Sequence, residues 1–155
     1  MDRIDKLDAR ILRALQADAS QSIAELAEKI GLSANACWKR VKRLEDDGFI
    51  VKRVALLDRA KINQSVTAFV EIRTDQHEEK WLEQFADAVR AIPEIVEFYR
   101  LSGQVDYMLK IVCSDIADYD RIYKKLIQNT RLRDVSSFFA MEQLKYTTEL
   151  PVVEC

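Results

Sequence analysis

Glycine and proline are scarce in this chain, with 3 Gly and 2 Pro among 155 residues. Their scarcity excludes collagen-like repeats, Pro-rich linkers and low-complexity disorder, and favours regular secondary structure. Histidine occurs once, at His77, and the cysteines Cys37, Cys113 and Cys155 are odd in number and far apart. Neither a disulfide framework nor a structural zinc site can be assembled from such a set, which fits free thiols in a reducing compartment. No apolar run approaches the roughly 18–20 residues of a membrane span. The opening Met1-Asp2-Arg3-Ile4-Asp5 has no apolar signal core. The expectation is a cytoplasmic protein with no metal, no cofactor and no membrane partner.

What is present is a composition 48% hydrophobic and 32% charged, enough for one ordinary domain or two small ones. The net charge of -2 hides an asymmetry. The first sixty residues carry twelve basic against ten acidic side chains, and the rest twelve against sixteen. From Ser33 to Leu44 every charge is positive: Lys39, Arg40, Lys42 and Arg43. A mildly acidic chain with one concentrated basic stripe points to a local anion site rather than to general attraction for polyanions.

In the first sixty residues, Ile4, Leu7, Ile11, Leu12 and Leu15 recur at helical spacing. Ser22 and Glu25 have the spacing of a capping box, opening a second helix that buries Ile23, Leu26, Ala27 and Ile30. Gly31 supplies its left-handed stop. Ser33 caps a third helix that runs to about Asp47. Two short helices joined by Gly31-Leu32-Ser33 have the form of a helix-turn-helix. At about 100° per residue, Cys37, Val41 and Leu44 share one arc of the third helix, with Asn35, Lys39, Lys42 and Arg43 opposite and Trp38 and Arg40 at the edges. Donors on that far side suit phosphates and base edges in a major groove. An ordinary solvated helix would intersperse acids, and none occurs before Glu45. The nucleic-acid contact set is therefore Ser33, Asn35, Trp38, Lys39, Arg40, Lys42 and Arg43. The apolar runs Phe49–Val51 and Val54–Leu57, parted by Lys52-Arg53, predict a wing-like strand pair or an extended connector.

From Val66 onward the pattern changes to strand, helix, strand, strand, helix, strand. Val66, Ala68, Val70 and Ile72 alternate with Thr67, Phe69, Glu71 and Arg73, and Leu82, Phe85, Val89 and Ile92 form a helical stripe ended by Pro93. Strands are predicted at Ile95–Leu101 and Val105–Val112, parted by Ser102-Gly103-Gln104. A helix carries Ile116, Tyr119, Ile122, Tyr123 and Leu126, and a long final strand spans Val135–Tyr146. This βαββαβ order is the ferredoxin-like split. Ile95, Tyr99 and Leu101 are expected on one face of their strand, with Val96 and Phe98 on the other, making both faces apolar. A sheet with a second apolar face calls for a partner, so oligomerisation through it is expected.

The order and spacing of several fragments resemble the Lrp/AsnC (leucine-responsive, asparagine-responsive or feast/famine) transcriptional regulators over nearly the whole length. They are Leu26-Ala27 with Gly31-Leu32-Ser33, Cys37 through Glu45, Gly48-Phe49-Ile50, Ala55 through Asp58, Gly103-Gln104-Val105-Asp106-Tyr107, Ser136-Ser137-Phe138 and Gln143 through Tyr146. The implied α+β architecture has a winged helix-turn-helix DNA-binding domain at 1–50 and a connecting strand or linker at 51–64. A ferredoxin-like effector-binding and oligomerisation domain follows at 65–155. The resemblance implies double-stranded DNA and a small effector, commonly an amino acid, as partners, with homodimers assembling to octamers. Carried over by position, the effector residues are Leu101, Ser102, Gly103, Asp106 and Tyr107, with Ser136 and Ser137 on the last strand. Asp106 could accept from an ammonium while amides near Gly103 meet a carboxylate, or it could simply brace the turn. This chain departs from the family in having Ser33-Ala34-Asn35-Ala36 in place of prolines, and Thr130-Arg131-Leu132-Arg133 in place of Pro-Gly.

Two other readings carry less. A haem-precursor decarboxylase on a related two-part fold would need acid–base groups, and one His in a charged run supplies none. An RNA platform would need a basic-Gly-aromatic signature on its central strand, absent from Val105–Val112.

Overall fold

The computed structural model describes residues 4–76, 78–128 and 132–153. His77, Thr130, Arg131 and Cys155 lie outside the described residues, as do Met1, Asp2 and Arg3. The chain forms two compact units. One holds the residues up to Leu56 together with the segment from Lys145 onward, and the other runs from Leu57 to Leu144.

The first unit is built on α1 (Lys6–Ala17), α2 (Ile23–Ile30) and α3 (Ala34–Asp46). Each begins on a side chain that satisfies a free backbone amide. Asp5 and Asp8 form a reciprocal capping box on α1, at 2.8 and 3.2 Å. Ser22 and Glu25 do the same for α2, and the Ser33 hydroxyl accepts from Ala36 N at 3.2 Å to start α3. Gly31 ends α2 at φ 78°, a left-handed backbone that favours glycine. Ile11, Leu12, Leu26, Ala27, Ile30, Cys37, Val41 and Leu44 close the core. Each large aliphatic side chain there contributes about 1.5–3 kcal/mol by leaving water. The predicted arc of α3, Cys37-Val41-Leu44, is its buried face.

Residues 51–58 make no strand pairing and a turn follows at 59–63, so a connector rather than a strand pair stands here. Ile50 N donates to Leu44 O and Arg53 pairs with Glu45 at 2.8 Å, while Val51, Val54 and Leu56 stay exposed. A hairpin here would need a turn residue that Lys52-Arg53 does not supply. The segment from Lys145, which the 65–155 boundary assigns to the sheet domain, instead packs with the helical unit. Arg13 donates to Val152 O at 2.7 Å, and Gln16 exchanges two bonds with Leu150.

The second unit contains β1 (Val66–Arg73), α4 (Glu79–Arg90), β2 (Ile95–Arg100), β3 (Tyr107–Cys113), α5 (Ile116–Ile127) and β4 (Asp134–Phe139). Its sheet is antiparallel in the order β2-β3-β1-β4. Ala68, Val70 and Ile72 of β1 and Tyr107, Leu109, Ile111 and Cys113 of β3 share one face, buried with Phe85 and Val89 of α4 and Ile122 and Leu126 of α5. The other face carries Phe69 opposite Phe138 and Tyr99 opposite Met108, with both Phe138 and Tyr99 about half exposed.

Two expectations are corrected. A register shift between Ile95 and Glu97 puts Ile95 opposite Ile111 and Phe98 opposite Leu109. Ile95 and Phe98 therefore share the helix-covered face, and Tyr99 the open one, because a bulge resets the two-residue alternation. The last strand ends at Phe139, not Tyr146. Phe139 pairs with Ala68 and Ala140 N still reaches Thr67 O, but β1 begins at Val66, so the ladder runs out of partner.

Candidate DNA interface and effector turn

Helix α3 presents Asn35, Trp38, Lys39, Lys42 and Arg43 on exposed positions. Trp38 is 52% exposed, more than a core tryptophan would be. Lys42 Nζ reaches Asp46 one turn on, at 2.8 Å, and both partners are open to solvent. That pairing raises the Lys42 ammonium above its ordinary pKa, so it stays charged. Ser33 spends its hydroxyl on the helix start.

The two arginines behave differently from the lysines. Arg40 Nη1 donates to Asp5 Oδ2 at 2.7 Å and Asp8 Oδ1 at 2.8 Å, and Arg43 Nη2 donates to Asp8 Oδ2. The wheel puts Arg43 on the far side of α3, yet its guanidinium folds back onto α1. Asp8 is the element that sequence reasoning passed over. Its signal is present: Asp8 lies four residues from both Ile4 and Leu12 on the apolar stripe, where an acid requires an internal cation.

At the other candidate site, Leu101, Ser102 and Gly103 are exposed between β2 and β3. Gly103 has φ 134° with open space where a Cβ would stand, so its constraint is backbone conformation rather than contact. Leu101 N donates to Asp106 O, and Asp106 N to Ile72 O. Asp106 Oδ2 accepts from Thr74 N at 2.8 Å, so the carboxylate ties the turn to the end of β1. Tyr107 is buried, with ring contacts to Trp81, Phe85 and Phe98 at 5.6–6.0 Å. The two serines part company. Ser137 lies opposite Val70 and bonds the Tyr119 hydroxyl on the helix-covered face, whereas Ser136 lies opposite Glu71 on the open face. Beside the turn, Arg73, Gln104, Arg133 and Asp134 line a polar cleft of about 510 Å³.

Among the described residues no group of three or more His, Cys, Asp or Glu could hold a metal ion. No described helix is long and apolar enough to cross a membrane. Burial pushes the Cys37 and Cys113 thiols above their ordinary pKa, which leaves them poor nucleophiles.

Comparison with known proteins identifies the family. The winged helix-turn-helix DNA-binding model matches residues 4–51, and the Lrp/AsnC ligand binding domain model matches residues 67–150. The glutamate uptake regulatory protein of Zymomonas mobilis is 51% identical over 152 residues, covering 98% of this chain and 93% of that protein. The DNA-binding transcriptional activator DecR of Escherichia coli is 45% identical over 150 residues, covering 96% and 99%. A crystal structure of an AsnC family transcriptional regulator from Agrobacterium tumefaciens superposes with a TM-score of 0.93 at 56% identity, over 95% of this chain and 96% of that one. A Neisseria meningitidis transcriptional regulator solved with L-Met follows at 0.89 and 31%, with the same coverage. These relatives are regulators, not enzymes, which removes the decarboxylase reading. With a DNA-binding model over its helical part and a ligand-binding model over its sheet, this chain belongs to the Lrp/AsnC family of transcriptional regulators.

Proposed function

We propose that the chain is a cytoplasmic, amino-acid-responsive regulator in which α3 enters the major groove of DNA. The observation that carries this is the exposure of Asn35, Trp38, Lys39 and Lys42 opposite the buried arc of α3. Lys39 and Lys42 suit phosphates, and Asn35 suits an adenine edge. The working division is DNA contact in 1–50, linkage in 51–64 and sensing in 65–155, the last stretch of which, from Lys145, packs with the helical unit. The open sheet face, with Phe69, Tyr99 and Phe138, supports a homodimer. Two copies of α3 would then read successive grooves of a pseudo-palindromic site, and dimers would assemble to octamers.

The effector binds beside Leu101, Ser102, Gly103 and Asp106. Asp106 spends one oxygen on Thr74, and its Oδ1, without a hydrogen bond among the described residues, offers an acceptor for an ammonium. Amides near Gly103 and the guanidinia of Arg73 and Arg133 in the adjoining cleft supply donors for a carboxylate. Ser136 contributes from the open face, while Tyr107 and Ser137 brace the site from the core side. Relatives support an amino acid as the class of ligand, one by its L-Met complex and one by its name as a regulator of glutamate uptake.

A thermal-shift screen of the twenty amino acids tests this, because a ligand of the folded state raises the melting temperature with concentration. The hit must then change affinity for a duplex selected by the protein from a random library. A screen without hits, or a hit that leaves DNA binding unchanged, refutes the reading.

A further inference from the structure

Asp8 is fully buried, on the core side of α1, yet both of its oxygens are taken by α3. Arg40 is shared between Asp8 and Asp5, whose carboxyl is held below its ordinary pKa by the Asp8 amide first and by Arg40 next. Two acids and two guanidinia thus cancel in charge. Lys39, by contrast, is exposed with no ion pair among the described residues, and Lys42 meets only its solvated neighbour Asp46.

We propose that Asp8 is a positioning residue for DNA recognition. Its carboxylate holds Arg40 and Arg43 within the helical unit and fixes the roll of α3 about its own axis, while Lys39 and Lys42 meet the phosphates. This assignment rests on α3 being the helix that enters the groove. A phosphate that drew either guanidinium away would strip a buried carboxylate of a partner, and an exposed contact returns less than that loss. Arg40 and Arg43 stand three residues apart, so they anchor adjacent turns of one side of α3. The core packing of Cys37, Val41 and Leu44 holds one face of α3, and the two guanidinia add a directional tie from another side of the helix to Asp8 of α1. At a surface radius of about 5–6 Å, a roll of about 10° displaces a side chain by about 1 Å. That displacement is enough to spoil a bidentate base contact while leaving phosphate contacts serviceable.

The experiment measures full-length protein binding by fluorescence anisotropy across a KCl series. It uses a duplex selected from a random library by the unaltered protein, and a scrambled duplex of equal length. Lys39→Gln and Lys42→Gln are expected each to flatten the slope of log K against log salt by about 0.9 and to weaken both duplexes alike. Arg40→Gln and Asp8→Asn are expected to keep the slope and to lose about tenfold of the preference for the selected duplex. A role in fold stability alone would weaken both duplexes equally and leave that ratio intact. A slope flattened by about 0.9 in Arg40→Gln, or an unchanged ratio in either variant, overturns the proposal. Arg40→Gln leaves Arg43 on Asp8, and Asp8→Asn is isosteric. Should circular dichroism show one of them unfolded, the other decides. Absence of salt-dependent duplex binding by the unaltered protein would remove the DNA reading itself, and this assignment with it.

Discussion

Replacing Phe85 by Ala empties the most crowded part of the sheet unit. Its ring is fully buried and lies against Trp81 at 5.1 Å, Phe98 at 5.5 Å and Tyr107 at 5.7 Å. Truncating a buried phenylalanine costs about 3–5 kcal/mol, and the loss of three ring contacts places this site in the upper part of that range. The unit from Leu57 to Leu144, at about 0.05–0.15 kcal/mol per residue, holds about 4–13 kcal/mol. Phe85→Ala therefore removes between about a third and all of its stability. At about 4–8 °C per kcal/mol, the melting temperature falls by about 16 °C or more. Urea titration followed by tryptophan fluorescence reads the change, since Trp81 stacks on the ring being removed. Phe85→Leu, which keeps most of the volume, should cost far less and serves as the control. A loss below about 1 kcal/mol in Phe85→Ala would show that the pocket collapses onto the gap, and would refute the view of a close-packed aromatic core.

Acidification, a charge removal and a face disruption test the remaining features. Glu94 is held below its ordinary pKa of 4.5 chiefly by Arg121, and Glu97 chiefly by Lys110. Depressed carboxylates stabilise the fold above their unfolded pKa and lose that contribution as pH falls through the folded value. The urea midpoint should accordingly hold from pH 7 to about 5 and decline below about 4.5, and a midpoint that rises on acidification contradicts the pairing. Asp106→Asn keeps an acceptor for Thr74 N but loses the charge. Calorimetry with the screened amino acid should show at least about a tenfold weaker complex, with the unliganded melting temperature nearly unchanged. Equal affinity would relocate the ammonium site. Phe138→Glu places a charge opposite Phe69 on the open sheet face, and sedimentation should show a smaller species at micromolar concentration. An unaltered sedimentation coefficient would mean that copies meet elsewhere.

Local chemistry made much of this molecule readable from sequence. Ser22 with Glu25, Gly31, Ser33 and the arc Cys37-Val41-Leu44 are short-range signals, and each stands where its spacing put it. The alternation of Val66 to Ile72 likewise gave β1 its buried face. Failures came where a distant partner decides. The end of β4 depends on where β1 begins, a fact carried seventy residues away. The bulge at Val96 depends on the register of β3, so strict alternation misassigned Tyr99 and Phe98. The wheel set Arg43 on the far side of α3, where it is exposed, and Arg40 at an edge, but a wheel shows direction and not that both guanidinia reach back to Asp8. Asp106 shows the opposite case. Its tie to Thr74 is one of the two roles its residue type allows, and geometry shows that role without exhausting the carboxylate.

The bulge in β2 also bears on how copies of the chain can meet. Strands β2 and β4 form the two margins of the sheet. Both are six residues long; β2 carries a bulge at Val96, and β4 opens on a charged Asp134. A straight, apolar margin would template end-to-end growth into fibrils, whereas a kinked or truncated one cannot extend the ladder. In the homodimer proposed above, contact between molecules would thereby fall to sheet faces rather than edges, which favours closed, countable assemblies over open-ended filaments.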